Sequence, residues 1–293
     1  MDVENMDCNT ASFLQQAKGK TNLPSLSKSI NELLKAVTAD DANYQQLAGV
    51  IKQFPEISAR LLFLANSAWS APAKPIGSVE QACSILGYSI VKSVCFGVSI
   101  SSSFDTRKCP GFKSDHFWTT SMLVSEGAGL LASRLSSQVD CVDFEQTVQS
   151  AGLLHNIGLL WLADNLPKET DKALQAIAAE ASLTVNEALL QYTGTNYCEV
   201  GGWLGDQLGF PDVLTVAVKH HLDSDYQGPF WEGALLVGSA AAMVAVLHNQ
   251  SDEMPENARL KALGLSHSEQ EVVFKQLSRN YVKTQELANT MFA

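Results

Sequence analysis

The chain has little charge, and most of it is of one sign. Charged residues make up 17% of its 293 positions, and 31 acidic against 20 basic side chains leave a net charge of −11. No window gathers more than a few Lys or Arg. Such a chain repels phosphate backbones, which argues against a nucleic-acid partner. Cysteine is sparse. Cys8, Cys83, Cys95, Cys109, Cys141 and Cys198 are scattered without a C-x-x-C pair. That spacing suits neither a zinc site nor a dithiol and fits thiols in a reducing cytoplasm. The longest uncharged apolar run, Gly233 to Leu247, stops short of the roughly 18 residues that span a bilayer, so it reads as a buried helix. The opening MDVENMDCNT lacks the basic-then-apolar order of a secretory signal. The expectation is a cytoplasmic protein with no membrane partner. The P-loop, G-x-S-x-G and H-E-x-x-H motifs are also missing.

What is present is helical periodicity. Nothing pairs as alternating strands, and no internal repeat or low-complexity stretch stands out, so the class is all-α. Leu26, Ile30, Leu33, Leu34 and Val37 fall on one helical face. Leu47, Val50, Ile51 and Phe54 line the next helix, and Pro55 starts another. Ser78 with Gln81, Thr184 with Glu187 and Ser266 with Glu269 have capping-box spacing, and Gly87 is placed to end a helix. Residues 101–115, SSSFDTRKCPGFKSD, are polar and broken by Pro110 and Gly111, as a connection between two helical lobes would be. Beyond it, helices are expected near 114–136, 143–164, 168–181, 185–193, 197–208, 211–221 and 230–249. A final amphipathic helix runs to about Thr290. Its apolar positions Val272, Val273, Leu277, Tyr281 and Leu287 permit packing on its own lobe or on a second copy, so a homodimer stays open.

Within AGLLHNIGLLWLA, residues 151–163, only His155 and Asn156 are polar. On a helix apolar all round they must be buried or line a cavity. An unpartnered buried polar group costs about 1–3 kcal/mol, so each needs a hydrogen-bond partner, a ligand or a metal. A structural tie between helices and a metal site both satisfy that need. Lys219-His220-His221 ends a second apolar helix. The doublet could be a surface cap favoured by the helix dipole, or could supply one imidazole to a site shared with His155. His116, His248 and His267 read as ordinary helix-end histidines. Gly201 and Gly202 mark close helix packing.

Taken in order along the chain, these segments resemble the HDOD domain of bacterial signalling proteins. LPSLSKSINELL resembles its opening, with Ser27 in place of a proline. LANSA at residues 64–68, SVEQACSILG, FWTTSMLVS, GLLHNIGLL and CEVGGWLGDQLGFPDVLTVAVKHH resemble its later motifs. The resemblance covers roughly residues 22–250. It implies an N-terminal helical lobe over 22–105 and an HD-like helical bundle over 112–250. Residues 1–21 and 251–293 would then be extensions, the latter helical.

The resemblance also implies a relationship to HD phosphohydrolases, in which histidines and aspartates hold divalent metals and a bound hydroxide attacks phosphorus. Carried over position by position, the first metal histidine falls on Thr120. The His-Asp pair falls on His155 and Asn156, and the next histidine on Tyr197. One of the last pair survives as His220 or His221, which diverge by about 100° on a helix. The closing aspartate falls near Ala240 or Ala241. A divalent ion would meet imidazoles and neutral groups but no ionised carboxylate. Asp115, Glu126, Asp143 or Glu199 would have to substitute from unexpected positions. The expectation is a degenerate pocket without metal or cofactor, its His155, Asn156, Tyr197 and one later histidine linked by hydrogen bonds. The implied function is non-catalytic signalling through proteins supplied in trans or a small ligand. The competing function is a metal-dependent phosphohydrolase acting on a nucleotide or cyclic nucleotide. Asn66 and Trp69 mark a possible interaction surface, although Trp69 could equally pack into the core.

Overall fold

Pro55 stands at the first position of a helix, where its missing N–H leaves no bond unmade. This punctuation sets up the N-terminal elements α1 (Tyr44–Ile51), α2 (Pro55–Ala65), α3 (Val79–Leu86) and α4 (Tyr88–Ser101). The structure, a computed structural model, describes residues 33, 44–66, 72, 74–135, 144–180 and 182–292. Among these, every regular element is helical: the protein is all-α. Of the first expected helical face only Leu33 lies among the described residues, and it is fully buried. Trp69 lies outside them.

The described residues fall into two compact units. The first comprises those within 24–104, with 114–119 and 282–292. Its core is built from Leu47, Ile51, Leu61, Leu64, Ala82 and Val94. Ser78 accepts from the Gln81 N–H, but Gln81 Oε1 accepts from Gly77 rather than Ser78, so the expected capping box is half formed. Gly87, at φ 78°, ends α3 and opens α4. Phe292 stacks on buried Trp118 with ring centroids 4.5 Å apart, and the Arg60 guanidinium lies over the same ring.

The second unit comprises 105–113 and the described part of 120–281. It contains the rest of α5 (Ser114–Ser133), then α6 (Phe144–Leu154), α7 (Ile157–Asn165), α8 (Pro167–Ala179), α9 (Val185–Thr193) and α10 (Tyr197–Leu208). They are followed by α11 (Asp212–His220), α12 (Trp231–His248), α13 (Ala258–Ala262) and most of α14 (His267–Phe292). The Thr184–Glu187 box is complete, and Ser266 and Glu269 form the same reciprocal pair. By length and composition α12 could cross a bilayer, yet Leu236, Val237, Ala240 and Val244 are buried inside the unit.

Two expectations need correction. The single helix expected over 143–164 is two helices, α6 and α7, broken at His155–Asn156. Within the 101–115 connection, the Asp105 and Gly111 N–H groups donate to Asp164 and Asp171, and Cys109 is buried. On α14, Val273, Leu277 and Leu287 are buried, but Val272 is half exposed, because the buried stripe runs one residue over.

Candidate functional site: a buried histidine pair without carboxylates

The break at residues 155–156 is what positions the site. His155 follows the last turn of α6, and its Nδ1 lies 2.7 Å from the Gly152 carbonyl oxygen, so the ring caps its own helix end. His221 does the same for α11, with Nδ1 2.8 Å from the Val218 carbonyl. A carbonyl only accepts, so both rings carry their proton on Nδ1 and present Nε2 as a lone pair. The rings meet edge to face with centroids 5.2 Å apart. Both are buried. Burial is the main cause that pushes the pKa of His155 down to about 3 and of His221 to about 4; the His221 ring lowers His155 further, and His220 does the same to His221. At neutral pH the pair is uncharged.

The Tyr197 hydroxyl donates to His221 Nε2 at 3.3 Å, and the Cys198 thiol sits 4.0 Å from the same nitrogen. Burial raises both of those groups, the thiol to about 12, so neither supplies an anion. Two glycines allow this close convergence. A Cβ on Gly158 in α7 would strike the Tyr197 carbonyl at the start of α10, and one on Gly238 in α12 would strike the His221 carbonyl.

The other carried-over positions do not join this cluster. Asn156, buried, accepts from the Ser121 hydroxyl of α5 at 3.0 Å. Thr120 bonds His248 Nε2 at 2.8 Å, and His248 Nδ1 meets the Tyr281 hydroxyl at 2.7 Å. His220 is partly exposed and stacks on Tyr226, with centroids 4.0 Å apart. The later histidine that faces the site is therefore His221. Ala240 is fully buried and offers no donor. Sequence reasoning missed Ser121, His248 and Tyr281. Only the adjacency of Ser121 to Thr120 hinted at any of them, since the His248 partners are far away in sequence.

The residues present do not fit a divalent metal. A buried ion needs three or four converging donors, and carboxylates or thiolates to neutralise it. Among the described residues no three His, Cys, Asp or Glu side chains converge in that way. The substitute carboxylates are engaged or elsewhere. Glu126 accepts from Asn280 at 2.6 Å and from Gln276 at 3.3 Å. Glu199 faces Lys219 at 3.6 Å. Asp115 lies in the first turn of α5, five residues before Thr120, and Asp143 lies outside the described residues. Asn66, expected on an interaction surface, uses its amide to donate to the Ile76 carbonyl and accept from the Ile76 N–H.

The fold and site define an all-α protein with a buried, neutral histidine pair. The HDOD domain model matches residues 23–224, and the chain belongs to the HDOD family. Its fold is shared by an HDOD domain protein from Geobacter sulfurreducens, with TM-score 0.75, 22% identity and 99% coverage of each chain. A protein from Marinobacter aquaeolei VT8 provisionally assigned to signal transduction matches at TM-score 0.83 and 21% identity, over 99% of this chain and 69% of that one. One from Shewanella amazonensis SB2B, provisionally assigned as a phosphohydrolase, matches at TM-score 0.71 and 21% identity, covering 96% and 98%. No curated protein matches the chain.

Proposed function

We propose that this protein is a non-catalytic regulatory module of bacterial signalling, cytoplasmic, acting through a partner protein supplied in trans or a small ligand. The observation that carries the reading is the neutrality of the site. At the positions onto which the resemblance carries the metal ligands of HD enzymes, this chain has Thr120, Asn156, Tyr197 and Ala240 or Ala241, and His155 and His221 are buried and uncharged. Hydrogen bonds Ser121–Asn156, Tyr197–His221 and Thr120–His248 tie together the helices that a metal would otherwise crosslink. A cluster of this kind preserves the frame without supplying an activated water. No nucleic acid or membrane is implied, and self-association through α14 stays compatible with the reading.

Turnover is the test. The purified chain is assayed with bis-p-nitrophenyl phosphate and with cyclic dinucleotides in the presence of Mn²⁺, beside a His155→Ala variant. The expected result is the same background rate for both. Hydrolysis by the parent that His155→Ala abolishes would establish the phosphohydrolase instead. Thermal stabilisation by a cyclic dinucleotide without hydrolysis would assign the small-ligand form of the regulatory role.

A further inference from the structure

The loop joining α11 to α12, Leu222 to Phe230, displays two of the seven large apolar side chains that are exposed among the described residues: Leu222 is 51% and Phe230 45% accessible. Phe230 is the N-cap of α12, yet it sits in the left-handed region at φ 58°, ψ 25°, and makes no capping bond. Both the conformation and the position favour Gly or Asn over a bulky aromatic, so the phenyl ring is kept against local preference. Such violations concentrate where function needs them.

The loop is also held rigid without help from either apolar side chain. Tyr226 stacks on His220, and its hydroxyl donates to the Pro229 carbonyl at 3.1 Å. Arg259 donates to the carbonyls of Ser224 and Tyr226 and lies over the Trp231 ring. Leu222 and Phe230 are thus presented by a fixed frame, which lowers the ordering cost of binding.

Charge identifies the partner. Asp223 and Asp225 lie in the same loop, and Glu232 lies in the first turn of α12 directly after Phe230. Lys219 is paired with Glu199, and Arg259 is committed to backbone carbonyls. His220, 3.9 Å from Asp223, has its pKa lowered chiefly by burial. Arg259 keeps its positive charge while bonded to neutral carbonyls, but one guanidinium does not balance Asp223, Asp225 and Glu232, and a partner that brings cations is favoured by the remaining negative charge. We infer that Leu222 and Phe230 form the apolar centre of a docking surface for another protein, and that the docked segment is basic, with apolar side chains among its Lys and Arg. This rests on the regulatory reading above and names the kind of partner. The loop begins one residue after His221, so a docked partner would adjoin the buried histidine pair.

The test is site-specific photo-crosslinking of the full chain in its native host, with p-benzoylphenylalanine at position 230 and a control at exposed Tyr192. The expected product joins position 230 to a net-positive segment of a different protein, with yield falling about tenfold in Leu222→Asp. Phe230→Gly suits the left-handed backbone, so it should melt no lower than the parent and lose the captured partner in a pull-down. A crosslink no stronger than the Tyr192 control, one to a second copy or to an acidic segment, or full partner retention by Phe230→Gly would overturn the proposal. If the crosslink fails while turnover stays at background, this surface falls and the regulatory reading survives. Metal-dependent turnover would remove that reading whatever the crosslink shows.

Discussion

Restoring the carboxylate that the site lacks should damage the protein. Asn156 is 6% exposed, and its side-chain oxygen accepts from the Ser121 hydroxyl. In Asn156→Asp the new carboxyl keeps that acceptor but gains no cation, because His155 and His221 are both neutral. Burial then raises its folded pKa above the unfolded value of about 3.9, and a shift of two units corresponds to about 2.7 kcal/mol. A raised folded pKa means that the folded state binds the extra proton. Between pH 3.9 and the folded pKa the variant therefore loses stability, relative to the parent, as pH rises, and above that pKa the deficit is constant. At pH 7.5 the expected deficit is about 2–3 kcal/mol, or roughly 5–10 °C in melting temperature, shrinking toward zero near pH 4. The assay is thermal and urea unfolding of parent and variant from pH 4 to pH 8 in EDTA. A variant as stable as the parent at pH 7.5 would refute the reasoning, since a cationic group must then face position 156.

Further perturbations probe the same frame. His155 and His221 have depressed pKa values, so the unfolded chain protonates first and they withdraw stability as pH falls below about 6.5; His221→Gln should flatten the acid limb by up to about 1.4 kcal/mol per pH unit, read by urea titration at pH 5 and 7. Gly158→Ala forces α7 away from the Tyr197 carbonyl and should cost about 1–3 kcal/mol in chemical denaturation. Phe292→Ala strips the stacked ring from Trp118 and should cost about 2 kcal/mol with a red shift in tryptophan emission; an unchanged spectrum would contradict that packing.

Much of the fold was legible because it is local. Helical period, the Thr184–Glu187 and Ser266–Glu269 caps and the Gly87 stop each depend on residues within one turn of one another. The break at His155–Asn156 was hidden because apolar side chains continue on both sides, and Asn156 turns its side chain to Ser121 instead of capping α7. The identity of the site histidines was half legible: the divergence of His220 and His221 by about 100° on a helix favoured one of them facing inward, and burial selects His221. The partners of Thr120 were not legible at all. His248 is 128 residues away, and no pattern near either residue anticipates their bond.

Metal content tests the central claim most directly. Parent and His155→Ala are purified without chelator from cells supplied with Mn, Fe, Zn and Mg, and each element is measured per chain. A site of two neutral imidazoles and no carboxylate should leave both proteins far below one equivalent and indistinguishable. One equivalent of a transition metal in the parent, lost in His155→Ala, would contradict the account.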